Sequence, residues 1–65
     1  MDIKSVIRMN DGRTSYQVKE SMDEIIDNLF DAQFVIVTDF AIGEVWINTS
    51  NIVSISRYNN EYNSL

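Results

Sequence analysis

The sequence has no cysteine, no histidine and no proline, and glycine occurs only twice. Without cysteine and histidine there are no disulfides and none of the usual zinc sites. The same absence leaves the serines and threonines without an activating base, so nucleophilic catalysis finds no support. With so few glycines no phosphate-cradling loop can be read. Lys4 and Lys19 sit among polar residues, unlike a desolvated catalytic lysine. No apolar run approaches the ~20 residues needed to span a bilayer. Basic residues are scarce: five against ten acids, a net charge of −5. Such a chain is repelled by phosphate backbones, which disfavours nonspecific nucleic-acid binding. The reading is therefore of a non-enzyme with no cofactor, no metal and no membrane span. Met1-Asp-Ile-Lys-Ser5 lacks the basic-then-apolar order of an export signal, so a cytoplasmic location is expected. Asn48-Thr49-Ser50 then reads as a turn and not as a glycosylation site.

The chain is 65 residues long, 45% of them hydrophobic and seven aromatic. That composition argues for a folded domain. A chain of this size buries only about 60% of its unfolded surface. Its core supplies no more than about 3–5 kcal/mol without help. With disulfides and metals excluded, association is the remaining source of stability. A homo-oligomer, most simply a dimer, or a subunit of something larger is expected, and no motif identifies the protein partner.

The most informative stretch is Glu44-Val-Trp-Ile-Asn-Thr-Ser-Asn-Ile-Val-Ser-Ile-Ser-Arg-Tyr58. It reads as two strands, Glu44–Asn48 and Ile52–Tyr58, joined by a corner at Thr49–Asn51 whose side chains can satisfy a tight turn. At the other end, Ile3, Ser5, Ile7 and Met9 alternate with Lys4, Val6 and Arg8. Asn10-Asp11-Gly12 follows, and then Thr14, Tyr16 and Val18 alternate with Ser15 and Gln17. Asp-Gly between extended segments signals a hairpin of residues 2–9 and 13–18. Ser21 followed three residues later by Glu24 is a capping box. Met22, Ile25, Ile26 and Leu29 then form one apolar stripe, predicting a helix from about Met22 to about Phe30. The run Phe34-Val-Ile-Val-Thr38 predicts a central strand covered on both faces. Residues 39–43 form a turn, and residues 59–65 read as a frayed tail.

The expected domain spans residues 1–58 in the order β-β-α-β-β-β. Its class is α+β: a small, antiparallel, strongly bent sheet of about five strands with one packed helix. The same elements permit a second arrangement, an SH3-like or Sm-like barrel with the helix plugging one end.

Three groups of residues are candidates for contact. Asp23, Asp27 and Asp31 recur along one helix side near Glu20 and Glu24. They form either an acidic face for a basic partner or cation, or simply a solvated face. Lys4, Arg8, Arg13 and Tyr16, with Lys19, offer a small phosphate or nucleic-acid patch, against the plainer role of protecting a sheet edge with charge. Trp46 lies between Val45 and Ile47. If those two face the core, Trp46 faces outward and, beside Tyr58, is a candidate contact hot spot. If the strand is covered on both sides, Trp46 is core.

Met9-Asn-Asp-Gly-Arg13 with Tyr16-Gln-Val-Lys-Glu-Ser-Met-Asp-Glu-Ile-Ile26, and Trp46-Ile-Asn-Thr-Ser-Asn-Ile-Val-Ser-Ile55, resemble two blocks of small uncharacterised proteins common in Gram-positive bacteria, their phages and their integrated elements. The same blocks in the opposite order are similar to flagellar FlbD-type small proteins. The reversal means that no flagellar role is carried over, and the resemblance implies no catalytic residue or cofactor. A phage or mobile-element origin is what it implies. The expected function is a non-enzymatic, self-associating protein-interaction module using Trp46, Tyr58, Asp23 or Asp27. The competing class is a nucleic-acid-binding small barrel using Lys4, Arg8, Arg13 and Tyr16.

Overall fold

A computed structural model describes residues 2–29 and 32–58. The elements run β1 (Ser5–Met9), β2 (Ser15–Val18), α1 (Met22–Leu29), β3 (Phe34–Asp39), β4 (Gly43–Asn48), a 3₁₀ turn at Thr49–Asn51 and β5 (Ile52–Arg57). The α+β class and the β-β-α-β-β-β order are as the sequence predicts. The tail expected at 59–65, the expected helix end at Phe30, and Asp31 lie outside the described residues.

All five strands form one antiparallel sheet in the order β4-β3-β2-β1-β5. The helix touches both β3 and β5, which are separated by two strands in that order. The sheet must therefore curl around it. It does not close: among the described residues β4 and β5 are the two edges, so the barrel alternative gives way to an open, bent sheet.

Local chemistry explains the joints. In the β1–β2 turn the Asp11 carboxylate accepts from the N–H groups of Arg13 and Thr14 and from the Thr14 hydroxyl. Gly12 takes the positive φ of 74° that this tight turn requires. Ser21 caps the helix, its hydroxyl accepting from the Glu24 N–H at 3.2 Å. Asn48 caps the 3₁₀ turn, its Oδ1 accepting from the Ser50 N–H and hydroxyl.

The core is a single cluster of Ile7, Val18, Ile25, Val35, Val37 and Ile47. Met9, Tyr16, Leu29, Val45, Ile52 and Ile55 pack against it. Ile25 is the buried residue of the helix, whereas Ile26 lies at the margin of the stripe and is exposed. The helix is packed chiefly by Ile25 with Leu29, and Ile26, 38% exposed, contributes at the margin. β3 also differs from expectation. Val35 and Val37 are buried while Phe34 and Ile36 are exposed, so one face of this strand is covered, not both.

Two acidic residues tie the frame together. Asp39 is almost fully buried; its Oδ1 accepts from the Gln17 N–H at 3.0 Å, and its Oδ2 from the N–H groups of Ala41 and Ile42 at 2.9 and 3.2 Å. Glu20 accepts from the Thr38 N–H and hydroxyl at 2.8 and 2.9 Å, while the Ser5 hydroxyl donates to the Glu20 carbonyl. The first bond from Asp39 and the pair from Glu20 stitch β2 to β3, whose paired register is short. Asp39's other two bonds set the turn into β4.

Candidate interaction face

Strands alternate their side chains between faces. With the core residues fixed on one face, the register of β3 and β4 determines what lies on the other. Ile36 pairs with Trp46, Phe34 with Asn48 and Thr38 with Glu44. This outer face carries Phe34, Ile36 and Trp46, which are 45%, 50% and 63% exposed. Phe40 and Ile42, in the turn joining the two strands, are also exposed. At those exposures the three aromatics alone present on the order of 350 Å² of surface to water. A patch of that size is often functional in a monomer. The outer faces of β2 and β1 are different in kind: Ser15, Gln17 and Arg8 lie there, with Val6 among them.

Trp46 thus faces outward, flanked on its strand by half-buried Val45 and buried Ile47. Tyr58 does not join it. It follows β5 at the opposite edge of the sheet, where its N–H donates to the Lys4 carbonyl at 2.9 Å. The pairing of Trp46 with Tyr58 into one patch is therefore set aside, and Phe34 and Ile36 take the place of Tyr58.

The basic set is also divided. Arg8 and Arg13 line a shallow groove of about 320 Å³ with Met9, Asn10, Thr14 and Val53. Tyr16 pairs with Ile7 and packs on the core side. It is not available as a stacking platform on the face that carries Arg8. Asp23 and Asp27 are exposed on the helix. Glu20, read from the sequence as part of an acidic face, spends its carboxylate on Thr38. Among the described residues no three acidic side chains gather to hold a metal ion. No helix of the described residues is long and apolar enough to cross a membrane.

Among the described residues the one large pKa displacement is at Asp11. Its carboxyl is lowered from 3.8 to about 2, first by the Thr14 hydroxyl, then by the N–H groups of Thr14 and Arg13, all of which stabilise the anion. The group serves the turn.

No protein-family model, no curated protein and no solved structure matches the chain. The sequence did single out Trp46, but not Phe34 and Ile36. The signal was present: bulky residues at 34 and 36 alternate with small β-branched ones at 35 and 37. In a strand buried on both faces there is no reason for that segregation.

Proposed function

We propose that this protein is a non-enzymatic interaction module that self-associates through the outer face and edge of the β3–β4 pair. The observation that carries this reading is the contiguous apolar row of Phe34, Ile36 and Trp46 on the outside of a sheet whose inside already packs a complete core. Folding alone does not account for these residues, because the core closes without them. Burying them in a second copy removes apolar surface from water, and the gain is about 25 cal/mol for each Å² covered. It also answers the marginal stability of so short a chain. Trp at the centre of such a patch is the side chain that most often dominates binding energy.

Light scattering tests the reading. The wild-type protein is expected to run as a dimer at high micromolar concentration, and Trp46→Ala as a monomer with an unchanged far-ultraviolet spectrum. A monomeric wild type at that concentration refutes the proposal. Unfolding of Trp46→Ala, despite the exposure of the side chain, refutes the assignment of Trp46 to contact. The nucleic-acid reading is weakened by the net charge and by the placement of Tyr16. A gel shift with single-stranded and duplex nucleic acid at about 50 mM salt is expected to show no binding.

A further inference from the structure

In an antiparallel ladder the N–H and C=O of one residue point to one neighbouring strand, and those of the next residue point to the other. On β3 the Thr38 carbonyl accepts from Lys19, and the Phe40 N–H donates to the Gln17 carbonyl. Even-numbered residues of β3 therefore address β2, and Val35 and Val37 address β4. Their partners Ile47 and Val45 use their peptide groups on β3. It follows that the peptide groups of Glu44 and Trp46, and the Asn48 N–H, point off the edge of the sheet, whereas the Asn48 carbonyl, at the N-cap of the 3₁₀ turn, accepts that turn's first bond. Among the described residues no strand lies there. These are the same residues whose side chains belong to the outer face.

We infer that a second copy of this chain adds its β4 antiparallel to this edge, with the two-fold axis passing through the Trp46 pair. The inference rests on the self-association reading above and supplies its geometry. Three features select this register. First, it sets Trp46 against the partner's Trp46 and Glu44 against the partner's Asn48, so the N–H and C=O of Trp46 are paired across the axis and the Asn48 N–H meets the partner's Glu44 carbonyl. Second, it is complementary in side-chain chemistry. Asn48 Oδ1 is occupied by Ser50, whereas its Nδ2 donor has no partner among the described residues, and neither has the Glu44 carboxylate. Across this axis donor meets acceptor, twice by symmetry. Third, on the core face it brings the partner strand alongside Val45, the one half-buried apolar residue of β4 on that side.

Neighbouring registers lose these matches. An axis through Glu44 places two carboxylates directly opposite, a destabilising arrangement. An axis through Val45 leaves Asn48 opposite Ile42, which lies in the turn and outside the strand. An axis through Asn48 runs the pairing into the 3₁₀ turn.

Site-directed cross-linking decides the register, and the absence of native cysteine makes each introduced thiol the only one in its chain. Glu44→Cys and Asn48→Cys proteins are purified separately, mixed and oxidised in a glutathione buffer. Directly opposed residues of a hydrogen-bonded pair have Cα atoms about 5.5 Å apart, within disulfide reach. Two copies of residue 44 lie roughly 13 Å apart along the strand direction in this register. The expected product is the mixed 44–48 disulfide, resolved by intact mass and at least about ten-fold above either homodimeric disulfide. Preferential 44–44 or 48–48 linkage overturns the register. So does a mixed product no more abundant than random pairing gives. If those results come with a wild-type dimer in light scattering, self-association stands and only this geometry falls. If the wild type is a monomer, both fall.

Discussion

Asp39→Asn is expected to destabilise the fold by an amount comparable to most of its stability. Asp39 is 7% exposed, and its two oxygens accept from three backbone N–H groups on two separate segments. Asparagine has the same shape but only one acceptor oxygen. If that oxygen serves Ala41 and Ile42, the amide nitrogen meets the Gln17 N–H, and donor faces donor. If it serves Gln17, both turn N–H groups are left without an acceptor. Either way at least one charge-assisted bond is replaced by a clash of donors, and the remaining bonds lose their charge. A hydrogen bond to a charged group contributes about 1.5–3 kcal/mol, so the net loss is about 2–3 kcal/mol. Set against a total of about 3–5 kcal/mol for a domain of this size, that loss leaves the variant near its unfolding midpoint. With a urea dependence of about 1 kcal/mol per molar, the midpoint should fall by about 2 M. The assay is urea unfolding followed by far-ultraviolet circular dichroism. Wild type and variant are compared at one protein concentration, since self-association raises apparent stability. Asp27→Asn, on the exposed side of the helix, is the control and should shift little. A midpoint for Asp39→Asn within about 0.3 M of wild type would refute the claim that this carboxylate holds β2, β3 and the β3–β4 turn together.

Asp11 makes a pH prediction. Its folded pKa is depressed from 3.8 to about 2, so its stabilisation is fully present above about pH 4 and is lost as pH falls through about 2. Asp11→Asn should be less stable than wild type at neutral pH, with the gap between their urea midpoints narrowing through that window; a constant gap would contradict it. Ile25→Ala should cost about 2–5 kcal/mol and abolish the cooperative transition, whereas Ile26→Ala, at a side chain 38% exposed, should cost clearly less. Equal effects at the two sites would mean that the helix is rotated from the orientation described. Gly43→Ala should cost about 1–2 kcal/mol, because the residue has φ of 83° and open space for a Cβ, so backbone conformation is the whole penalty. Thermal unfolding that shows no loss would remove the left-handed turn at the start of β4.

The parts of the fold that could be read in the sequence are those encoded by neighbouring residues. Asp11-Gly12 marks the hairpin because one side chain and one permissive backbone complete the turn locally. Ser21 marks the helix start because the group it caps lies three residues away. Asn48 through Asn51 marks the corner for the same reason. What escaped depends on residues distant in sequence. Asp39 looks like an ordinary turn residue until β2 brings the Gln17 N–H to it across 22 positions. Tyr16 alternates with polar residues as a surface aromatic would, and only its pairing with Ile7 places it on the core side. Trp46 lies in β4 and Tyr58 directly follows β5, the next strand in the chain, yet the sheet order sends those strands to opposite edges.

The placement of apolar residues suggests why the outer face is not merely tolerated. Among the described residues the sheet has two open edges, and β5 interrupts its own: the register shifts between Arg8 and Met9, leaving Val53 out of the pairing. A bulge of this kind bends a strand and disrupts its use as a template. β4 has no such interruption in its pairing with β3, which runs unbroken from Gly43 to Asn48. Its outer face bears a single charge, Glu44, and no proline. Devices that normally protect an edge are thus present on β5 and sparse on β4. An unprotected edge beside an exposed tryptophan is an aggregation hazard unless something specific covers it. One acceptor and one donor flanking Trp46 allow a finite, two-fold contact to outcompete open-ended association. On this argument, exchanging Glu44 and Asn48 in the same chain should preserve the dimer, whereas Asn48→Glu alone should abolish it by setting carboxylate against carboxylate. A dimer that survives Asn48→Glu unchanged would refute the pairing.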